Sequence, residues 1–205
     1  MSFMTEPQAA EGKRAAQGRA TRGQLIEVAT RLFAEHGYEG TSIEAVLAAA
    51  GVSRGALYHH FPGKEALFEA VVVAVSDQVT VDLAAAVSGR TDPVDVMRTA
   101  ALAWIGLAAD PVIQRVVLVD APSVLGWERW RDMDGGRTLG TLRATLQAVS
   151  DSGRLPSALV NPFSHMILAA LDEIVLVVAR ADDPVAAVAE GRMAVEALLD
   201  RLLRP

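Results

Sequence analysis

The 205-residue sequence contains no cysteine, which excludes a disulfide framework, a thiolate metal site and a cysteine nucleophile. It has no basic surplus either. Its 19 Lys and Arg stand against 25 Asp and Glu, a formal net charge of −6, so a uniformly basic nucleic-acid coat is excluded and only a local basic patch is allowed. Lysine itself is scarce, at Lys13 and Lys64; the arginine-rich composition, abundant in Ala and Val, fits a GC-rich bacterial genome. The opening stretch MSFMTEPQAAEGKRAAQGRA lacks the apolar run of a secretory signal. The most apolar later stretch, Phe163 to Ala179, is interrupted by Asp172 and Glu173, which argues against a membrane span. A cytoplasmic protein is the expectation. Strand signals are weak, with no sustained period-two alternation. Also missing are a Gly-rich phosphate loop followed by Lys-Ser/Thr, a His-Glu-x-x-His and a Gly-x-Ser-x-Gly. No enzyme, cofactor or catalytic residue is therefore expected.

What is present is helical patterning in a chain that is 51% hydrophobic, too apolar for disorder and long enough for a small domain plus a larger one. Residues 1–20 carry no periodicity and read as a mobile arm. After them, Thr21 with Gln24 and Thr41 with Glu44 form capping boxes. Four Asx-Pro pairs, Asp92-Pro93, Asp110-Pro111, Asn161-Pro162 and Asp183-Pro184, open apolar-periodic runs as N-cap and first helical residue. Gly37 and Gly153 sit where helices stop. The spacing predicts an all-α chain of about nine helices, over 21–36, 41–48, 53–59, 63–87, 93–109, 111–121, 127–152, 161–180 and 184–203.

The second and third helices make a motif. Ile43, Val46, Leu47 and Ala50 form one face, and Gly51 permits the positive φ of the reversal. Val52 plugs the core, Ser53 caps the short helix Arg54 to His59, and Leu57 turns inward. Leu25, Ala29, Leu32 and Phe33 close a three-helix core with Ile43, Val46 and Leu57. Two small helices joined by a short turn are a helix-turn-helix, placed over residues 21–62, with a helical body over 63–205.

The run ATRLFAEHGYEGTSIEAVLAAAGVSRGALYHHFPGKEALF, Ala29 to Phe68, resembles the DNA-binding domain of the TetR family of bacterial regulators without gaps. The matching pieces include Leu32-Phe33, Gly37-Tyr38, Thr41-Ser42-Ile43, Ala50 to Ser53, Leu57 to Phe61 and Lys64 to Leu67. Asp120 to Trp127 also resembles a segment found in one branch of the family.

A recognition helix presents its first residues to base edges. Here these are Ser53, Arg54, which suits a bidentate contact to guanine, and Gly55, which lets the backbone approach closely. Tyr58, His59 and His60 end that helix; Tyr58 fits either the core or DNA. Thr41, Ser42 and Lys64 at helix starts are placed for phosphates, and Arg22 joins them. Adjacent histidines on a helix point about 100° apart and seldom share an ion, so no metal is expected. Residues 1–60 have no net charge, and the acidic excess lies wholly beyond them. The basic residues between Gly12 and Arg31 either track phosphates or belong to a solvated tail. With so modest a basic surface, affinity needs two heads, hence a dimer on a palindromic operator with half-sites about one helical turn apart.

The resemblance implies a body that dimerises through its last two helices and encloses a small effector. Val185, Val188, Arg192, Val195, Leu199 and Leu202 lie on a stripe of the last helix wide enough for an interface, core packing being the alternative. Met97, Trp104, Leu107, Leu118, Trp127, Trp130, Met133 and Leu168 supply adaptable apolar walls for a lipophilic or aromatic effector, or simply core. His165 and Asp172, seven residues apart, share a helix face and call for a ligand or an inter-helix partner. The expected function is a ligand-responsive dimeric repressor; the alternative is a DNA-binding regulator controlled by a protein partner.

Overall fold

The computed structural model describes residues 6–203, with side chains at 6–14 and 134–137 excepted. Among the described residues there are nine α-helices, one π-helical segment and no strand. The elements are α1 (Glu6–Gly40), α2 (Ile43–Ala50), α3 (Arg54–His60), α4 (Lys64–Ala86) and α5 (Pro93–Leu107). The π segment (Ile113–Asp120), α6 (Ala121–Leu125), α7 (Trp127–Asp151), α8 (Ser157–Ala179) and α9 (Pro184–Leu202) complete the chain.

Helices α1, α2 and α3 close a small head around Leu25, Ala29, Phe33, Val46 and Leu57, all buried. Gln24 Nε2 donates to the Ala50 carbonyl at 2.9 Å, pinning α1 to the end of α2. α4 leaves the head and runs into the body, burying Leu67, Phe68, Val71 and Val72 against α1 at one end and Val75 and Val79 further along. The body is layered from α5 to α9, with α7 on α8 as its most extensive pairing. α8 has the length and apolarity of a membrane span, yet it buries Ile167, Leu168, Leu171, Val175 and Leu176 against its neighbours, which is how a core helix uses such a sequence.

Several starts and stops follow the expected chemistry. Asp92 accepts from Asp95 N, Asp110 from Val112 N and Ile113 N, and Asp183 from Val185 N and Ala186 N, each ahead of its proline. Gly37, Gly51 and Gly153 take positive φ.

The starts of α1 and α8 differ from those expected. Residues 6–20, expected as an arm without regular structure, are the first turns of α1; residues 1–5 lie outside the described residues. Thr21 is therefore no cap: it lies within the helix, its hydroxyl bonded to the Gln17 carbonyl. Asn161 does not open α8 either. The helix starts at Ser157 behind Pro156, and Pro162 lies inside it, where the ring costs one backbone hydrogen bond near the helix start.

A close helix approach lies at Gly191 on α9. A Cβ there would lie 2.9 Å from Ile174 Cγ2 of α8 and 3.4 Å from Ile105 Cγ2 of α5. Gly191→Leu overfills this crossing. Chemical denaturation should show a loss of about 1–3 kcal/mol, whereas unchanged stability would mean that α9 rides farther from α5 and α8.

Candidate nucleic-acid interface

The head exposes the first turns of α2 and α3. Ser42 and Ser53 cap them, their hydroxyls accepting from Ala45 N at 3.1 Å and Ala56 N at 3.2 Å. These caps leave Ser42, Ser53, Arg54 and Gly55 exposed. A Cβ at Gly55 would meet nothing within 4 Å, so the backbone there lies open to a large ligand. Tyr58 is 44% exposed, which settles it as a surface residue of α3, beside exposed His59. His59 and His60 stack edge to face at 5.1 Å. Among the described residues no group of three or more His, Asp or Glu could hold a metal ion.

Sequence reasoning missed the partner of Arg54. Its guanidinium donates to Glu44 Oε1 at 2.5 Å, joining the first turns of α2 and α3. The pair is largely exposed, and such pairs add little to stability. Its consequence is geometric: it restricts the guanidinium fork. The backbone N–H of Glu44 itself, then the Arg54 hydrogen bond, hold the Glu44 carboxyl below its usual range, so it stays ionised. An (i, i+10) pair across a turn leaves no periodic trace in the sequence.

Thr41 is a correction. Its sequence position suggests a phosphate contact, but it is 1% exposed, and its one hydroxyl proton is shared between the carbonyls of Leu32 at 3.0 Å and Gly37 at 2.9 Å. The helix breaks at Gly37 and its last carbonyls need donors; Thr41 turns in to serve them, leaving Ser42 as the cap. Lys64 is half-buried, its Nζ 4.1 Å from the centre of the Tyr38 ring. Burial, and then the carboxylates of Glu65 and Glu39, push the Tyr38 phenol upward, so the ring stays neutral. Arg22 lies over Phe61 at 5.1 Å and, with His60, lines an open groove between α1 and α4.

Residues 25–71 match the profile described as "Bacterial regulatory proteins, tetR family", and residues 94–202 match "Tetracyclin repressor-like, C-terminal domain". A TetR-family transcriptional regulator from Pectobacterium atrosepticum is 31% identical with a TM-score of 0.81, over 92% of this chain and 96% of that one. The chain belongs to the TetR family.

The HTH-type transcriptional repressor Rv1474c of Mycobacterium tuberculosis is 29% identical over 170 residues, 80% of this chain and 86% of its own length. AcnR, a transcriptional repressor of Corynebacterium efficiens, is 51% identical over 51 residues, 25% of this chain and 27% of its own. The fatty acid degradation regulator FadR of Bacillus halodurans shares the fold, at 21% identity and a TM-score of 0.71, over 90% of this chain and 97% of that one. This TetR-family protein is a DNA-binding transcriptional regulator and not an enzyme.

In its body, the side chains expected at an effector divide. Met97, Leu118, Trp130 and Leu168 are buried, and Trp104, Leu107, Met133 and Asp172 are partly buried. Trp127 and His165 are exposed and line no enclosed wall. Trp127 is the first residue of α7, after Gly126 at φ 86, and lies outside Trp130 with ring centres 4.9 Å apart.

The stripe expected at a dimer interface is also divided. Val195 and Leu199 are buried within the chain, and Arg192 Nε and Nη2 donate to the Leu102 carbonyl of α5. Val188 and Leu202 are partly buried, and Val185 is exposed. The stripe is wide because α9 packs inward along one edge of it.

Thr41→Val keeps the shape and removes the donor from two carbonyls. Urea unfolding should show a loss of about 1–3 kcal/mol; a neutral substitution would mean that water serves those carbonyls equally well.

Proposed function

We propose that this regulator is a dimeric repressor that binds a palindromic operator and is released by a small lipophilic or aromatic effector. The observation that carries the DNA reading is the exposed first turn of α3, where Arg54 and Gly55 stand beside the cap of α2. In that reading Arg54 takes a guanine edge, with Glu44 holding its fork. Ser42, Ser53, Tyr58, His59, His60, Arg22 and Lys64 surround it as phosphate or base contacts. Acting on an operator places the protein in the cytoplasm.

The outer faces of α8 and α9 support the dimer. Met166 and Val177 on α8 and Val185 and Met193 on α9 are exposed, with Ala169, Ala186, Ala189 and Ala197 on the same sides. Small residues between exposed apolar ones let helices approach closely, and a lone protomer would leave this surface wet.

Trp130 supports the effector. Its indole N–H is buried and finds no hydrogen-bond partner among the described residues, a state that costs about 1–3 kcal/mol. An apolar ligand carrying one acceptor would satisfy it.

The test is selection from random DNA with the purified chain, followed by titration against salt. A palindrome bound by two chains is expected. Arg54→Ala should lose about 1–3 kcal/mol and relax one position per half-site. Lys64→Ala should weaken all sequences alike and lower the salt slope by about one. Identical loss of specificity in both variants contradicts these roles. Met193→Arg should sediment as a monomer and lose the palindrome; a dimeric Met193→Arg overturns the assigned interface.

A further inference from the structure

The head meets the body at two places, along α4 and where the end of α1 touches the π segment. The second place is built from few atoms. α1 breaks at Gly37, with φ 72 and ψ 173, and the break frees the amide of Tyr38 from the helix ladder. That amide donates to Asp120 Oδ2 at 2.7 Å. The same oxygen accepts from Arg115 Nε at 3.3 Å, from five residues earlier on the π segment. The Asp120 carboxylate is only 12% exposed.

Arg115 also fills the notch left by the missing side chain of Gly37. A Cβ at position 37 would stand 2.0 Å from Nη2 and 2.7 Å from Cζ. Gly37 is thus required for its φ, while the guanidinium in its notch is the end of a flexible, half-exposed side chain. At its other end the π segment is tied to the body: Gln114 Nε2 donates to the Ala179 carbonyl, the last residue of α8.

A body attached to the head by α4 alone leaves the head a hinge. A second attachment off that axis removes it. We propose that Asp120, supported by Arg115, is a positioning residue that fixes the angle of the reading head on the body, and so the half-site spacing that the dimer accepts. The proposal rests on the dimeric operator reading above. A charge-assisted hydrogen bond to a backbone amide suits this role because it is short and directional. The π segment places Arg115 and Asp120 together because its bonds run from i to i+5.

The experiment measures the full-length chain on DNA carrying two selected half-sites at graded spacings. The wild type should prefer one spacing. Asp120→Ala should flatten that preference by at least about fivefold, with base preference inside each half-site unchanged. Asp120→Asn keeps an oxygen for the Tyr38 amide and should restore most of it. Hydrogen exchange at the Tyr38 amide should accelerate in Asp120→Ala. A merely structural role would lower all DNA binding and the melting temperature without moving the spacing preference. Should Asp120→Ala fail to fold, Arg115→Ala, which empties the Gly37 notch, should flatten the preference in the same direction. Unchanged spacing preference in these variants overturns the inference and leaves the operator reading standing. Absence of any paired site for the wild type overturns the operator reading, and the inference falls with it.

Discussion

Breaking α1 at Gly37 is the constraint on which the rest of the structure depends. The chain must leave the helix there for α2 to fold back across α1, and leaving it strands backbone groups inside the protein. Two side chains answer that demand from opposite sides. Thr41 reaches back to the carbonyls of Leu32 and Gly37, and Asp120 takes the amide of Tyr38. One serves the head and the other joins the head to the body. The left-handed glycine is therefore a joint whose loose ends are satisfied on both sides of a domain boundary.

The aromatic residues around this break give the joint its stiffness. Phe33 lies 5.0 Å from Phe68 in an edge arrangement, and Tyr38 lies 5.9 Å from Phe33 and 4.9 Å from Phe68. Phe33 and Tyr38 flank the break in α1 and Phe68 stands on α4, so the two sides of the break and α4 share one ring cluster. Edge-to-face contacts fix ring orientation as well as burying area. Lys64 closes the cluster from outside, over the Tyr38 ring. The same lysine stands at the start of α4, where the head passes into the body.

Most of the head was legible because its punctuation is chemical. Ser53, Gly51 and Gly37 do in the structure what their residue types demand, and so do three of the four Asx-Pro pairs. The errors share a cause: local signals compete with neighbours that a sequence does not place. Thr41 and Ser42 are both good caps, and only the buried carbonyls beside Thr41 decide between them. Among residues 15–20, only Gly18 is even partly buried, so no apolar face marks the helix there. Val185, Val195 and Leu199 are all apolar and fall on one stripe, although α9 turns the last two toward the core. Glu44 with Arg54, and Asp120 with Tyr38, span 10 and 82 positions, separations at which no motif signals contact.

The close crossing at Gly191 gives α9 a double character. One side of the helix touches Ile174 and Ile105 with no side chain of its own between, while Ala189 and Met193 on other sides stand in the open. An α-helix with its side chains is about 10–12 Å across. α9 is thus a partition one helix thick, with packed interior on one side and the outer surface on the other. With no side chain at position 191 to absorb strain, any swelling between α5 and α8 is passed through that wall as a displacement of its outer face.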